Sequence, residues 1–335
     1  MRIAINGFGR IGRSFFRVAF QHPEIEIVAV NDLGDAENLS YLLRRDTVYG
    51  AYEKPVEVRN GQLVVDSQNI FVLNEKDPSK LPWKEMNIDV VVESSGVFSS
   101  YEKAKPHLDA GAKRVVITAP AGPETPHVLP GANDDMLDSR DLSKITSDAS
   151  CTTNAVVPVL NILQSNPGIR KAMLNTVHAY TATQSLVDGP AKKDFLRGRS
   201  AAQNIIPSHT GAADAVILSQ PWLKDVFEAV AIRVPVITGS LADLVFISDR
   251  RTNANEINDI LRKASKHPKW QGIFTVSEEP LVSSDIIKNP HSSIVDLTHT
   301  KVVGDDMVRV LAWYDNEWGY CNSLLKHVLN LKKLL

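Results

Sequence analysis

The hexapeptide Ala149-Ser150-Cys151-Thr152-Thr153-Asn154 carries the strongest chemical signal in the chain. Cys151 is one of two cysteines, Cys321 being the other. It is flanked by small hydroxyl residues and leads into the apolar run Ala155-Val156-Val157, which puts a lone thiol at the start of a helix. The positive end of the helix dipole favours an anion there, and such positions are ones where thiolate pKa values fall. Backbone N–H groups beside the sulfur would hold an oxyanion. Free cysteine is usually a core residue, but Ser150, Thr152, Thr153 and Asn154 make a poor core environment.

A second constellation lies at the N-terminus. Gly7-Phe8-Gly9-Arg10-Ile11-Gly12 matches G-x-G-x-x-G, directly after a predicted strand and at the opening of a predicted helix. Asp32 follows Gly12 by 20 residues, at the end of the second predicted strand. Strand, helix and acid together form the context of a dinucleotide fingerprint. Gly7 permits the tight turn, Gly9 lets backbone approach a pyrophosphate, and Gly12 allows close helix–strand packing. The N–H groups of Arg10 and Ile11 would face phosphate at the helix N-terminus. Asp32 would accept hydrogen bonds from ribose hydroxyls and repel a 2′-phosphate, which favours NAD over NADP.

The elements that must position these groups follow from periodicity. Strands are expected at Arg2–Asn6 and Ile25–Val30, with helices at Arg10–Phe20 and Asn38–Arg45. Val56–Val58, Leu63–Val65 and Ile70–Val72 read as hairpin strands. Ile88–Glu93, Arg114–Ile117 and Ile145–Ser147 read as buried strands, with a helix at Ser100–Asp109. This alternation argues for a parallel sheet with helices on both faces. After Cys151 come a helix at Thr153–Gln164, a strand at Thr176–Thr181 and a long irregular stretch from Thr183 to Pro207; loops of that length are usually functional. A helix at Ala212–Leu218 and strands at Phe227–Val234, Ser240–Ile247, Ser292–Asp296 and Val308–Tyr314, with a helix at Ala254–Lys266, suggest an α+β domain with a mostly antiparallel sheet. The tail sets Leu324, Leu325, Val328, Leu331 and Leu335 on one helical face, which needs a partner surface.

At 335 residues the chain is long enough for about two domains. With 43% hydrophobic and 23% charged residues it is ordinary globular material. A net charge of −2 with interspersed signs argues against nucleic acid or a membrane as main partner. Two distant cysteines point to a reducing compartment. No secretory leader pattern precedes the first strand, and no apolar run approaches the roughly 18 residues of a membrane span. The expected location is the cytoplasm.

Cys151 and the glycine fingerprint together bring out a resemblance. The chain resembles the glyceraldehyde-3-phosphate dehydrogenase family nearly end to end. The matching segments are Ile5-Asn6-Gly7-Phe8-Gly9-Arg10-Ile11-Gly12-Arg13, Val30-Asn31-Asp32-Leu33, Leu81-Pro82-Trp83, Glu93-Ser94-Ser95-Gly96-Val97-Phe98 and the Cys151 hexapeptide. They continue with His178-Ala179-Tyr180-Thr181-Ala182-Thr183-Gln184, Asn204-Ile205-Ile206-Pro207, Thr210-Gly211-Ala212-Ala213, Arg233-Val234-Pro235 and Trp313-Tyr314-Asp315-Asn316-Glu317-Trp318-Gly319-Tyr320. Erythrose-4-phosphate dehydrogenase is a close relative sharing most of them.

The resemblance implies an α/β plus α+β architecture. Residues 1–150 would form a Rossmann dinucleotide-binding domain, with helix 319–335 docked on it, and residues 151–318 a catalytic and oligomerisation domain. It implies that Cys151 attacks the aldehyde carbon of glyceraldehyde 3-phosphate, that His178 acts as general base, and that a thioester on Cys151 is released by inorganic phosphate. Spacing alone would not select His178 among nine histidines. Thr181, Arg197 and Arg233 would hold the substrate phosphate, Ser150, Thr210 and Gly211 would hold the attacking phosphate, and Thr152 would join the substrate-binding residues. Lys76, Thr118 and Asn316 would join the cofactor site, Asn316 on the nicotinamide carboxamide. A homotetramer is implied, with the Thr183–Pro207 stretch packed between subunits and Pro190 consistent with NAD. None of these roles calls for a metal. Without the resemblance, Arg197 would read as part of a solvated basic loop with Lys192, Lys193 and Arg199.

Four departures stand out against the family pattern, one of them Gly34 after Asp32-Leu33, which a turn tolerates. Asp148 stands where Asn is usual and would raise the Cys151 pKa unless it points away or is paired. Asp214 stands where many members have Lys, near the phosphate site. Gly239 interrupts a strand where a larger residue is normal. Asp214 lends weight to erythrose-4-phosphate oxidation as the alternative; an RNA-binding role through the cofactor groove finds no basic stripe to support it.

Overall fold

The computed structural model describes every residue except Arg140, Lys192, Lys193 and His209. The chain divides into two compact units, Met1–Ala149 with Cys321–Leu335, and Ser150–Tyr320.

The first unit is built on an eight-stranded sheet. Its strands are β1 (Arg2–Asn6), β2 (Glu26–Asn31), β5 (Val56–Arg59), β6 (Gln62–Val65), β7 (Gln68–Leu73), β8 (Val90–Glu93), β9 (Arg114–Ile117) and β10 (Ile145–Ser147); β3 (Arg45–Asp46) and β4 (Gly50–Ala51) pair separately. The order β10-β9-β8-β1-β2-β7-β6-β5 places β1 between β8 and β2, both parallel to it. Chain order reverses here, the switch point at which open α/β sheets bind ligands. The expected hairpin strands join this same sheet: β7 runs parallel to β2 and antiparallel to β6. The central strands are continuous apolar runs because both faces are covered. Helices α1 (Arg10–Ala19), α2 (Ala36–Arg44) and α3 (Tyr101–Asp109) follow strands of this sheet.

The second unit holds a seven-stranded sheet in the order β12-β13-β11-β14-β17-β16-β15. These are β11 (Lys171–Ala179), β12 (Ile206–Ser208), β13 (Phe227–Val234), β14 (Ser240–Ile247), β15 (Phe274–Ser277), β16 (Ser293–Val303) and β17 (Met307–Tyr314). β11–β13 and β15–β16 are parallel and the other pairs antiparallel. Its helices are α4 (Cys151–Ser165), α5 (Ala212–Ser219) and α6 (Ala254–Ala264).

Several expected bounds move. β11 begins at Lys171 and ends at Ala179, so Thr181 lies beyond the strand. Its buried face is Ala172, Leu174, Thr176 and His178; polar Thr176 and His178 on that face and apolar Met173 and Val177 off it mask the alternation. β15 goes unread in the sequence, and β16 continues past Asp296 through a register shift to Val303. The Thr183–Pro207 stretch contains a 3-10 turn at Phe195–Gly198 and leads into β12. In the tail, α7 (Trp318–Asn330) gives way to a 3-10 turn at Leu331–Leu334. Leu324, Leu325, Val328 and Leu331 are buried, but Leu335 is exposed because the helix has ended before it. Within the first unit the tail is tied down by Cys321 Sγ to Ile11 O (3.6 Å) and by Lys332 to Glu24 (2.6 Å). Among the described residues no helix is long and apolar enough to cross a membrane.

Candidate active site

The glycine turn of the first unit has the shape of a pyrophosphate cradle. Gly7 has φ +92°, and a Cβ there would lie 2.4 Å from Ser95 N. A Cβ on Gly12 would lie 2.1 Å from Gly7 O, so helix and strand approach as closely as backbone allows. A Cβ on Gly9 would meet nothing within 4 Å, which leaves open space where a phosphate would approach. Gly9 caps α1 without a side chain, and the first turn holds no acid. The N–H groups of Arg10 and Ile11 stand at this helix start, where a helix N-terminus turns its donors outward. Arg10 contributes through its backbone: its guanidinium pairs with Asp46 and lies over the Tyr49 ring. Asp32 Oδ2 accepts the Phe8 N–H at 2.7 Å and Oδ1 the Gly34 N–H at 3.0 Å. That fixes the carboxylate at the turn while each oxygen keeps a lone pair for a ribose hydroxyl. Thr118 donates N–H and hydroxyl to Glu93 O at 3.0 and 3.1 Å. Lys76 is exposed between β7 and Pro78.

The chemistry sits in the second unit. Ser150 caps α4, its hydroxyl oxygen accepting the Thr153 N–H at 3.0 Å. Cys151 is thus the first helical residue, and the N–H groups of Cys151 and Thr152 stay open at its sulfur. Cys151 Sγ lies 3.3 Å from His178 Nε2, near the end of β11. His178 Nδ1 lies 2.6 Å from Ala179 O and 2.8 Å from Arg233 Nη1. With the ring proton on Nδ1, donated to Ala179 O, Nε2 is a base facing the thiol. With the proton on Nε2, Nδ1 accepts from Arg233 and Nε2 becomes a donor. A ring that takes the thiol proton at Nε2 becomes an imidazolium, and neutral ring and imidazolium are the base and acid forms a general acid–base needs.

Burial is the main electrostatic influence. It pushes the Cys151 thiol up to about 11, against the pull of Arg233, of the Thr152 hydroxyl and of the Thr152 and Cys151 backbone. Burial, then Arg233, bring His178 down to about 3. The depressed thiol pKa expected from the helix start is therefore not the resting condition: desolvation outweighs the dipole. The resting pair is thiol and neutral imidazole, with the proton on sulfur.

Arg233 and Arg197 bring two like charges near each other beside the thiol–imidazole pair. Arg233 is mostly buried, and its Nε has no hydrogen-bond partner among the described residues. It feels the like charge of Arg197. Arg197 Nε lies 3.2 Å from Ser208 Oγ and 3.3 Å from Asp194, and its Nη1 donates to Thr183 Oγ1 at 3.4 Å. Thr181 Oγ1 meets Thr183 Oγ1 at 3.0 Å. Thr181, Arg197 and Arg233 thus converge; Lys192 and Lys193 fall outside the described residues. Thr210 Oγ1 accepts the Ala212 N–H at 3.1 Å, and Gly211 caps α5 without a side chain. The Thr152 hydroxyl lies 2.9 Å from Tyr314 OH, and both its side chain and its backbone bond the Cys151 sulfur.

Tyr314 escaped the residue-level reading although it lies in a matching segment. Its OH also meets Thr176 Oγ1 at 2.7 Å, and its ring stands edge-on to His178 at 5.9 Å. Asn316 Oδ1 accepts Gly239 N–H at 3.1 Å and the Ser240 hydroxyl at 2.9 Å, which leaves the amide NH2 as its free end. Ser240 Oγ in turn accepts the Ala179 N–H at 3.1 Å. Gly239 has φ +87°, and a Cβ there would lie 2.3 Å from Ser283 O, so glycine is required. In the first unit, Asp148 is paired: Oδ1 lies 3.1 Å from His327 Nδ1, both side chains fully buried.

A dinucleotide cradle on a doubly wound sheet, and a thiol–imidazole pair beside two arginines at a second sheet, define an NAD-dependent oxidoreductase. The family model described as glyceraldehyde 3-phosphate dehydrogenase, NAD binding domain, matches residues 1–101, and that described as the C-terminal domain matches residues 150–316. Glyceraldehyde-3-phosphate dehydrogenase of Borreliella burgdorferi is 47% identical over 99% of this chain and 100% of its own. Those of Thermotoga maritima and Zymomonas mobilis are 46% and 42% identical, over 99% and 100% of this chain and 99% of each relative. The chain belongs to the glyceraldehyde-3-phosphate dehydrogenase family.

Proposed function

We propose that the enzyme oxidises glyceraldehyde 3-phosphate with NAD and inorganic phosphate to 1,3-bisphosphoglycerate and NADH, as a step of glycolysis and gluconeogenesis. The observation that carries this reading is the 3.3 Å approach of Cys151 Sγ to His178 Nε2 beside an arginine whose buried Nε has no partner among the described residues. In this reading Gly7, Gly9, Arg10, Ile11, Gly12, Asp32, Lys76, Thr118 and Asn316 hold NAD, which supplies the hydride acceptor.

Cys151 adds to the aldehyde carbon while its proton passes to His178 Nε2. The N–H groups of Cys151 and Thr152 hold the developing oxyanion, and His178 returns the proton to give a hemithioacetal. His178 then removes the hydroxyl proton as the carbon gives up its hydride, and Cys151 is left carrying a thioester. An oxygen of inorganic phosphate, held by Ser150, Thr210 and Gly211, attacks the thioester carbonyl. The C–S bond breaks, and the departing sulfur recovers its proton from His178. Thr181, Arg197 and Arg233 hold the substrate phosphate throughout, which fixes the aldehyde carbon at the sulfur.

In this reading residues 1–150 and the 319–335 helix serve the cofactor, and residues 151–318 serve catalysis and assembly. Exposed Leu186, Val187, Phe195 and Ile205 in the 183–207 stretch support a subunit contact, here a homotetramer. Two free cysteines support a cytoplasmic location.

NADH formation from purified enzyme, NAD and glyceraldehyde 3-phosphate, run with and without phosphate and with Cys151→Ala as control, tests the reading. Steady turnover that needs phosphate is expected. Asp214, exposed on the first turn of α5 beside Thr210 and Gly211, favours a second reading. Phosphate-independent turnover on erythrose 4-phosphate would replace the first reading with that one.

A further inference from the structure

The first unit buries a carboxylate that the proposed chemistry does not use. Glu93 ends β8 and is 2% exposed. Asn6 on β1 is its register partner, and Asn31 on β2 is the register partner of Asn6. Glu93 Oε1 accepts the Ser95 N–H at 2.8 Å and the Ser95 hydroxyl at 2.5 Å. Oε2 accepts the Asn6 amide at 2.5 Å and lies 3.0 Å from His107 Nε2. Four donors on two oxygens occupy every lone-pair direction of the carboxylate.

Two hydrogen-bond chains of fixed direction end on this group. Glu75 N–H donates to Asn31 Oδ1 at 2.9 Å, which sets the Asn31 amide. Asn31 Nδ2 then donates to Asn6 Oδ1 at 2.7 Å, and Asn6 is left to donate to Glu93. From the other side, Trp83 Nε1 donates to His107 Nδ1 at 3.0 Å. An indole is a donor only, so Nδ1 must accept and Nε2 carries the one ring proton. His107 therefore donates through Nε2 to Glu93, in full burial with Trp83.

The network ends on the cofactor turn. Ser95 backbone occupies the space a Gly7 side chain would need. The Ser94 hydroxyl donates to Gly7 O at 2.7 Å, and that oxygen is the atom Gly12 packs upon. The orientation of Glu93 thus sets Ser95, Ser95 confines Gly7, and Gly7 sets the start of α1.

The geometry points to His107 as a positioning residue for NAD, acting through Glu93 and Ser95 on the Gly7 turn. The inference rests on reading that turn as the pyrophosphate cradle. His107→Asn keeps an acceptor for Trp83 but falls short of Glu93, whereas His107→Gln carries an N–H out to the position of Nε2. NAD affinity of the intact enzyme is measured by calorimetry, alongside thermal unfolding and the NMR signal of the Trp83 indole proton. His107→Asn is expected to bind NAD about tenfold more weakly, the scale of one lost hydrogen bond to a charged group. Its kcat at saturating NAD and its KM for aldehyde should stay within about twofold of wild type, and His107→Gln should recover most of the affinity. Unchanged NAD affinity in folded His107→Asn, or a kcat that falls as far as the affinity, overturns the inference. If that variant does not fold, Ser95→Ala leaves the Trp83–His107–Glu93 chain intact. It should weaken NAD binding about threefold, and unchanged binding overturns the inference equally. Wild-type enzyme that failed to bind NAD in the same titration would instead remove the cradle reading itself, and the inference with it.

Discussion

His178 and Arg233 are register partners on the parallel neighbours β11 and β13, with Arg233 Nη1 2.8 Å from His178 Nδ1. One guanidinium therefore acts on both members of the reacting pair. It lowers the imidazole and lowers the thiol, though burial is the larger influence on each. Arg233→Ala should move the acidic limb of the kcat/KM profile to higher pH, because His178 loses a cation that disfavoured its protonation. The same change should slow alkylation of Cys151 at a given pH, because the thiolate loses its counter-charge. Rates that shift only uniformly across pH would show that Arg233 serves the substrate phosphate alone.

The glycines of the cradle should separate by experiment. Gly12→Ala puts a methyl group 2.1 Å from Gly7 O and should cost about 1–3 kcal/mol of stability as overpacking does, together with NAD binding. Gly9→Ala meets open space, so its melting temperature should hold while NAD affinity falls about tenfold or more. Thermal melts and NAD titrations on the two variants check this contrast.

Tyr314→Phe deletes the OH that Thr152 and Thr176 share. Thr176 is fully buried and would be left short of a partner, at a cost of about 1–3 kcal/mol. The Phe ring keeps its edge toward His178, so activity should fall less than in His178→Asn. Urea unfolding and steady-state rates on the two variants test this.

Stability should fall in mild acid through His127. Burial holds it down to about 4, below its ordinary 6.5, and its Nε2 accepts the Ala121 N–H at 3.1 Å. The unfolded chain binds the proton first, so stability is whole above 6.5, declines as pH drops to about 4, and is level below. At about 1.4 kcal/mol per unit the loss is on the order of 3 kcal/mol. Burial lowers His178 in the same direction, so the comparison is with His127→Gln. Denaturant melts at pH 7 and pH 4.5 should differ less in that variant.

The parts legible in the chain are local ones. Gly7 to Gly12 and Cys151 announce themselves because a tight turn and a helix start are specified by a few adjacent residues, whose steric and hydrogen-bonding demands do not wait on distant contacts. Tertiary structure alone decides the rest. Arg233 meets His178 only because β13 lies parallel beside β11, a pairing that joins residues 55 apart. Asp148, a departure in sequence, is matched by His327 from the far end of the chain. Gly239 looks like an interruption and is required by a positive φ and by Ser283 O. The thiol reads as activated from its helix position, yet burial holds it up, because desolvation depends on everything packed around the sulfur.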